Sequence, residues 1–310
     1  MIDYTVFRIV NFSNSEFEKF ITLINAECPI NSNKVYVDFY NLRIYYYPDS
    51  RLLLIKNSVH KFYNASISHM QLAENYNDFH LTDMIAVAEV LSKLYFNRPI
   101  EDFELSTNLE VGVNVDIIGF KPFDIIDRYL SYQVYNTSNS FVTCEPRGDK
   151  GKPIMRKSYL SDYQLKFYDK SKQAKINFKN VLRYEVVFGQ LRKIRAVLGE
   201  DKLTMKTLCQ YETWKKFGDY LLEVYSNIRK LPLIENVGIP IEDLNKIHAH
   251  CNKHFKEDLI RAMPKSIYNR VRIENQRVYN NWNIAPENIH LQIENSIKNK
   301  INQLTTIPVS

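Results

Sequence analysis

The segment Leu109-Glu110-Val111-Gly112-Val113-Asn114-Val115-Asp116 alternates strictly between apolar and polar or small side chains. Successive side chains of a strand point to opposite faces. The octet therefore predicts a strand with Leu109, Val111, Val113 and Val115 on a core face and Glu110, Gly112, Asn114 and Asp116 on the other. Gly112 leaves room on that second face for close approach by a backbone or a ligand. The pattern recurs twice. Across Gln164–Lys170, Leu165 and Phe167 form the apolar set, and Gln164, Lys166, Tyr168 and Lys170 oppose them. Across Leu182–Val187, Arg183 and Glu185 share a face, away from Leu182, Tyr184 and Val186. If the three strands are neighbours, one sheet face presents carboxylates, an amide, a tyrosine, two lysines and an arginine.

The surrounding chain is consistent with such a sheet. Segments rich in Val, Ile, Tyr and Phe predict strands at Tyr4–Val10, Lys34–Tyr47, Arg51–Lys56, Asn108–Ile118, Ser140–Cys144, Tyr163–Lys170 and Val181–Phe188. Tyr47-Pro48-Asp49-Ser50 reads as a hairpin turn. Helices are expected at Ser15–Ala26, Thr82–Phe96 and Pro122–Ser131, the middle one with Met84, Val87, Ala88, Leu91 and Leu94 at helical spacing. After Phe188 the pattern turns helical: Trp214, Phe217, Leu221, Leu222 and Tyr225 form one apolar face, and Leu244, Ile247, Cys251, Phe255 and Leu259 another. The expected fold class is α+β: an antiparallel sheet with flanking helices over residues 1–200, then a helical C-terminal region over 201–310.

Charge is unevenly spread along the 310 residues. Residues 1–145 hold 11 Lys and Arg against 18 Asp and Glu, whereas residues 146–202 hold 15 against 6, a net of +9. A concentrated basic segment suits a polyanion, since each neutralised phosphate releases counterions. It equally describes a solvated charged face. The four cysteines, Cys28, Cys144, Cys209 and Cys251, lack CxxC spacing, which favours reduced thiols in a cytoplasm over disulfides or a cysteine zinc site. No apolar run approaches the length of a spanning helix, and the first residues do not have the layout of a secretory signal.

The shared polar face suits phosphodiester cleavage. Glu110 and Glu185 can hold a hard divalent cation that polarises a phosphate oxygen. Tyr168 can attack phosphorus and split the reaction into two steps through a covalent intermediate. Lys170 and Lys166 can stabilise phosphate charge or lower the pKa of the tyrosine. The same alternation also describes a polar sheet face turned to water, with Arg183 and Glu185 a surface pair and the lysines neutralising the carboxylates.

Taken in order, Asn57-Ser58-Val59-His60-Lys61-Phe62-Tyr63-Asn64, Asn75-Tyr76-Asn77-Asp78-Phe79, Asn108–Asn114, Lys166-Phe167-Tyr168-Asp169-Lys170 and Leu182-Arg183-Tyr184-Glu185-Val186 resemble rolling-circle replication initiators. The likeness is to the gene II/X-type initiators of filamentous phages and the Rep-trans proteins of plasmids and transposons. It covers roughly residues 40–200, and the FYDK segment followed by RYE is its most specific part. The resemblance implies a sheet related to the HUH endonuclease fold and a metal-assisted nick, with Mg2+ or Mn2+ as cofactor, that leaves a 5′-phosphotyrosyl strand and a free 3′-OH. It implies Tyr168 as the nucleophile, with Tyr163 a second or alternative one, Glu110 and Glu185 as metal or acid/base groups, and His60 as a third ligand. The chain departs from the HUH pattern in having no His-hydrophobe-His on a strand of the first region. His248-Ala249-His250 falls in a helical stretch and reads as a chance match.

On this reading Arg147, Lys150, Lys152, Arg156 and Lys157 contact DNA phosphates, with Lys166 and Arg183 also facing the nucleic acid. Tyr and Phe rings stack on unpaired bases. The implied partners are origin DNA, host polymerase and helicase, and a second copy of the chain. Nothing in the C-terminal region selects among duplex reading, dimerisation and helicase recruitment. Two rival functions stay open: a DNA-binding protein without nicking activity, and a metal nuclease whose tyrosine never becomes linked.

Overall fold

In the computed structural model, residues 1–26, 33–68, 70, 74–134, 137–144, 154–176, 178–233, 239–285 and 288–306 are described. Strands β1 (Tyr4–Ile9), β2 (Val35–Phe39), β3 (Leu42–Tyr47), β4 (Leu52–Ser58) and β5 (Glu104–Leu105) form one sheet in the order β2-β3-β4-β1-β5. The expected strand over 34–47 is thus a hairpin. Tyr40 takes a positive φ of 52° and turns the chain between β2 and β3. The turn at Pro48 falls where expected, closed by Arg51 N donating to Pro48 O at 3.2 Å.

The second sheet begins with β6 (Leu109–Ile117). The chain then leaves it for the hairpin β7 (Tyr129–Val134) and β8 (Thr137–Ser140), and returns as β9 (Val142–Cys144), β10 (Met155–Tyr159), β11 (Tyr163–Asp169) and β12 (Asn180–Phe188). Its order is β6-β12-β11-β10-β9. Every strand pairing among the described residues of these sheets is antiparallel. The expected helix over 122–131 stops early at Ile126, because Tyr129 and Ser131 enter β7 and pair with β13 (Ile228–Lys230). That late strand also interrupts the expected all-helical C-terminal region. The fold is nonetheless the α+β class anticipated: antiparallel sheets with flanking helices, followed by a mainly helical region.

Helices α1 (Asn14–Leu23), α2 (Val59–Ser66), α3 (Leu81–Glu89), α4 (Pro122–Ile126), α5 (Lys170–Gln173), α6 (Leu191–Leu198) and α7 (Met205–Leu208) punctuate the sheets. The C-terminal region adds α8 (Tyr211–Ser226), α9 (Ile241–Cys251), α10 (Lys253–Ala262), α11 (Lys265–Asn283) and α12 (Ile289–Thr305). The apolar face expected over 244–259 is broken. Helix α9 ends at Asn252, whose side chain accepts from Phe255 N at 3.1 Å and caps α10, leaving Phe255 exposed. No helix of the described residues is long and apolar enough to cross a membrane.

The second sheet has two unlike faces. Its apolar face carries Phe167 and Tyr184, stacked at 4.5 Å and ringed by Tyr129 and Tyr225, and the Tyr184 hydroxyl donates to Leu221 O of α8 at 3.0 Å. Helices α8 and α12 cover this side, and the core crosses residue 200 to reach Ile301 and Leu304. The opposite face is polar; Asn114, Tyr168, Arg183 and Glu185 are buried in it, and a pocket opens onto it. Helix packing thus decides which side of the sheet is left uncovered by α8 and α12.

Gly218 of α8 lets α12 approach closely: a Cβ there would run into Ile301 Cγ2. Replacing a helical Gly by Ala gains about 1 kcal/mol in propensity, but overpacking costs about 1–3 kcal/mol. Gly218→Ala is expected to destabilise the chain by about 1 kcal/mol net in urea unfolding, where an exposed helical glycine would show a gain.

Candidate active site

Register brings the three alternating segments together. Across β11 and β12, Tyr168 lies opposite Arg183 and Lys166 opposite Glu185; across β12 and β6, Arg183 lies opposite Asn114 and Glu185 opposite Gly112. The strands are neighbours, and their polar sets share a face. Gly112 serves a backbone and side chain of the protein itself: a Cβ there would collide with the Tyr184 carbonyl and Glu185 Cγ. Only a residue without a side chain lets Glu185 lie flat across β6.

The next member of the site comes from the residues just before β1. Ahead of it, residues 1–3 pair with the free edge of β6: Asp3 N donates to Glu110 O at 3.0 Å, and Gly112 N to Met1 O at 3.0 Å. This seats Asp3 beside Glu110. Carboxylate oxygens of Asp3, Glu110 and Glu185 lie within 4.8 Å of one another. The Asp3 carboxylate accepts from Ser58 Oγ and from Asn75 Nδ2, the latter at 2.7 Å, while Ser58 also caps α2 by accepting from Lys61 N at 3.0 Å.

Tyr168 Oη donates to Glu185 Oε1 at 3.0 Å. The same oxygen accepts from Arg183 Nε at 2.9 Å, and Arg183 reaches Asn114 Oδ1 at 3.3 Å and Asp3 Oδ2 at 3.6 Å. Lys166 Nζ sits between Glu110 Oε1 at 2.8 Å and Glu185 Oε2 at 3.4 Å. Lys170, at the start of α5 rather than on the strand, is turned back by the Asp169 cap so that Nζ donates to Asn75 Oδ1 at 2.8 Å and lies 5.8 Å from the Tyr168 ring centre. Asp3, Glu110, Lys166, Tyr168, Lys170 and Glu185 line an open polar pocket of about 520 Å³, with Lys61 and Lys175 also in its wall.

The remaining expected site residues lie elsewhere or are otherwise engaged. His60 is buried behind the carboxylates: Nε2 is bonded to Asn77 Oδ1 at 2.8 Å, and the ring stacks on Phe79 at 5.0 Å. Asp3 stands in the set where His60 was expected. Tyr163 has the parity of Leu165 and Phe167, so it faces the core, where its hydroxyl donates to Tyr132 Oη at 3.2 Å. Arg156 also has core parity, and its guanidinium donates to the Asp127 and Phe141 carbonyls at 2.8 Å each, which leaves it no free fork for a phosphate. Arg183 is buried and committed to carboxylates. Lys157 lies opposite Lys166 on the polar face. Arg147, Lys150 and Lys152 lie outside the described residues.

No protein-family model matches the chain, and no curated protein matches it in sequence. Among solved structures, a rolling circle replication initiator protein from Geobacillus stearothermophilus is similar at 15% identity and a TM-score of 0.40, the match covering 74% of this chain and 84% of that one.

The electrostatics of the pocket follow from burial and from three carboxylates sharing two fixed cations. Burial pushes Asp3 and Glu185 towards protonation, but Arg183, helped by His60 at Asp3 and by Lys166 at Glu185, outweighs it and holds both below their ordinary values of 3.8 and 4.5. Glu110 goes the other way: burial and the charge of Glu185 raise it against the pull of Lys166. Tyr168 is raised well above 10 by burial and then by Glu185, with Arg183 opposing. The lysines therefore do not produce a low-pKa phenol; the tyrosine is neutral and points its proton at a carboxylate. Burial, then Arg183, lowers Lys170 to about 8. Burial lowers His60 to about 4, so its imidazole is neutral at physiological pH.

The donor set fits a hard divalent cation. It offers only oxygens, it carries one more negative charge than Lys166 and Arg183 neutralise, and Glu110 is its least compensated member. The 4.8 Å span is about twice a Ca2+–oxygen distance and a little over twice a Mg2+–oxygen distance of ~2.1 Å.

Removing the guanidinium should expose how much depends on it. Arg183→Met leaves buried carboxylates without their partner and is expected to cost about 3–5 kcal/mol in denaturant unfolding. The depressed Asp3 and Glu185 contribute stability that is present above pH 4.5 and lost as pH falls. The raised Glu110 acts in the opposite sense. The wild-type acid transition should therefore be steeper than that of Arg183→Met, and equal acid profiles would refute this account.

Proposed function

We propose that the chain is a metal-assisted, tyrosine-dependent DNA-nicking enzyme that initiates replication at an origin. The observation that carries the reading is the Tyr168 hydroxyl donating at 3.0 Å to Glu185, within the Asp3, Glu110 and Glu185 set of an open pocket walled by lysines. A phenol with a raised pKa needs a base within hydrogen-bond reach. Glu185, held ionised by Arg183, is that base. As Tyr168 Oη bonds to the scissile phosphorus, its proton passes to Glu185 and the P–O3′ bond breaks. The leaving oxygen takes up a proton to give a free 3′-OH, and the 5′-phosphate stays esterified to Tyr168. Attack by a 3′-OH on the phosphotyrosine reverses the step and rejoins the ends.

Mg2+ or Mn2+, held by Asp3, Glu110 and Glu185, would supply charge neutralisation at the scissile phosphate. Lys166 keeps Glu110 and Glu185 together, while Lys170, Lys61 and Lys175 offer positive charge to the strand. DNA phosphates are the polyanion that such a wall suits. The resemblance of the FYDK and RYE segments to rolling-circle initiators supports origin DNA as the substrate.

Incubation with supercoiled DNA of its own replicon and Mg2+ or Mn2+ should give a nicked circle and an SDS-stable protein–DNA adduct whose linked peptide contains Tyr168. Tyr168→Phe is expected to lose the adduct while keeping its affinity for DNA, and Tyr163→Phe to keep both. Cleavage with hydrolysed ends and no adduct would indicate a metal nuclease instead, and binding without cleavage a DNA-binding protein.

Lys170 gives the reaction a pH signature. Its ammonium is present below about 8 and lost above. Because kcat/KM reports the free enzyme, kcat/KM for nicking should fall as pH rises through about 8. Lys170→Arg should hold its rate to higher pH, and an unchanged profile in that variant would remove Lys170 from phosphate contact.

A further inference from the structure

A second pocket lies in the C-terminal region and shares no lining residue with the Tyr168 site. It measures about 360 Å³ and is walled by β7, the end of α8, β13, α9, α10 and α11. Arg229, Lys256 and Arg272 all line it, and no Asp or Glu does among the described residues. No ion pair or side-chain hydrogen bond to another described residue accounts for these three cations. By contrast, Arg277 on another face of α11 is bonded to Glu274 at 2.9 Å. His250 stacks on Tyr279 at 4.8 Å, and its buried Nδ1 has no partner.

Arg229 and Lys256 are half-buried and Arg272 is exposed, and like charges gathered around one pocket repel one another. Burial first, then Lys256, Arg229 and Arg272, lower His250 to about 4, and Lys256 is itself lowered by burial and by the two arginines. Such a cluster is stabilised by an anion, and arginine forks match the oxygens of a phosphate. We propose that this pocket binds a backbone phosphate of DNA, making the C-terminal region a second contact with the strand. The walls favour a phosphate over a nucleobase: beside the cations they present Asn, Gln and Ser side chains, and the His250 and Tyr279 rings stack on each other. The choice of DNA as the source of the phosphate rests on the function proposed above; the anion site itself does not.

The test is equilibrium binding of a labelled duplex to the full chain without divalent metal, so that nicking plays no part. The double variant Arg229→Gln/Arg272→Gln should bind about tenfold more weakly, with the log–log salt slope reduced in magnitude by about one, as for the loss of one phosphate contact. Arg277→Gln is the control and should match the wild type. All three proteins should show the same circular dichroism melt, and Lys256→Gln alone should give a smaller loss in the same direction. Unchanged affinity and salt slope in the double variant would overturn the proposal. So would micromolar binding of AMP or inorganic phosphate that the double variant loses while its DNA affinity stays intact, since the site would then serve a free phosphorylated molecule. If the wild type binds no DNA at all, it is the proposed function that fails.

Discussion

The guanidinium of Arg183 is buried in the middle of the second sheet, and the polar face is organised around it. It touches Glu185, Asp3 and Asn114, which come from three separate stretches of chain. Taking a charge out of water is costly unless it is paired and bonded. Arg183 and the carboxylates are therefore stable only together. Arg183 holds Glu185 ionised, Glu185 accepts the hydrogen bond of the Tyr168 hydroxyl, and burial keeps Tyr168 neutral. Without this pairing, burial would drive Glu185 towards protonation.

Two backbone features make the arrangement possible. Gly112 lets Glu185 lie across β6 where any Cβ would strike it. The pairing of residues 1–3 with the open edge of β6 carries Asp3 from the first sheet into the site of the second. The pocket is thus formed where the two sheets are joined. The aromatic packing of Phe167, Tyr184, Tyr129 and Tyr225 fixes the opposite face beneath α8 and α12, so the polar face has one direction in which to open.

Much of this was legible in the chain. Glu110, Lys166, Tyr168 and Glu185 share a face because strand side chains alternate, and the register confirms the parity. By the same parity Tyr163 belongs to the core side, so its placement could have been foreseen from Leu165 and Phe167, whereas the face of Arg156 follows only from the pairing of β10 with β11. Asp3 could not, because a single acid ahead of a strand has no pattern and its role depends on an edge pairing with a strand about a hundred residues later. His60 lay in a suggestive segment, but α2 turns it towards Asn77 and Phe79. Strand β13 went unseen because three residues between helices carry no readable period.

The period of two in residues 109–116, 164–169 and 182–187 determined by itself which side chains could act together, since alternation follows from the stereochemistry of each extended residue. Only the tertiary structure decided that these strands are adjacent, that Asp3 completes the carboxylate set, that Lys170 leaves the strand and folds back, and that a buried arginine keeps Glu185 charged. Each of those outcomes depends on contacts between distant parts of the chain and on the loss of water around them, and neither is written in local sequence.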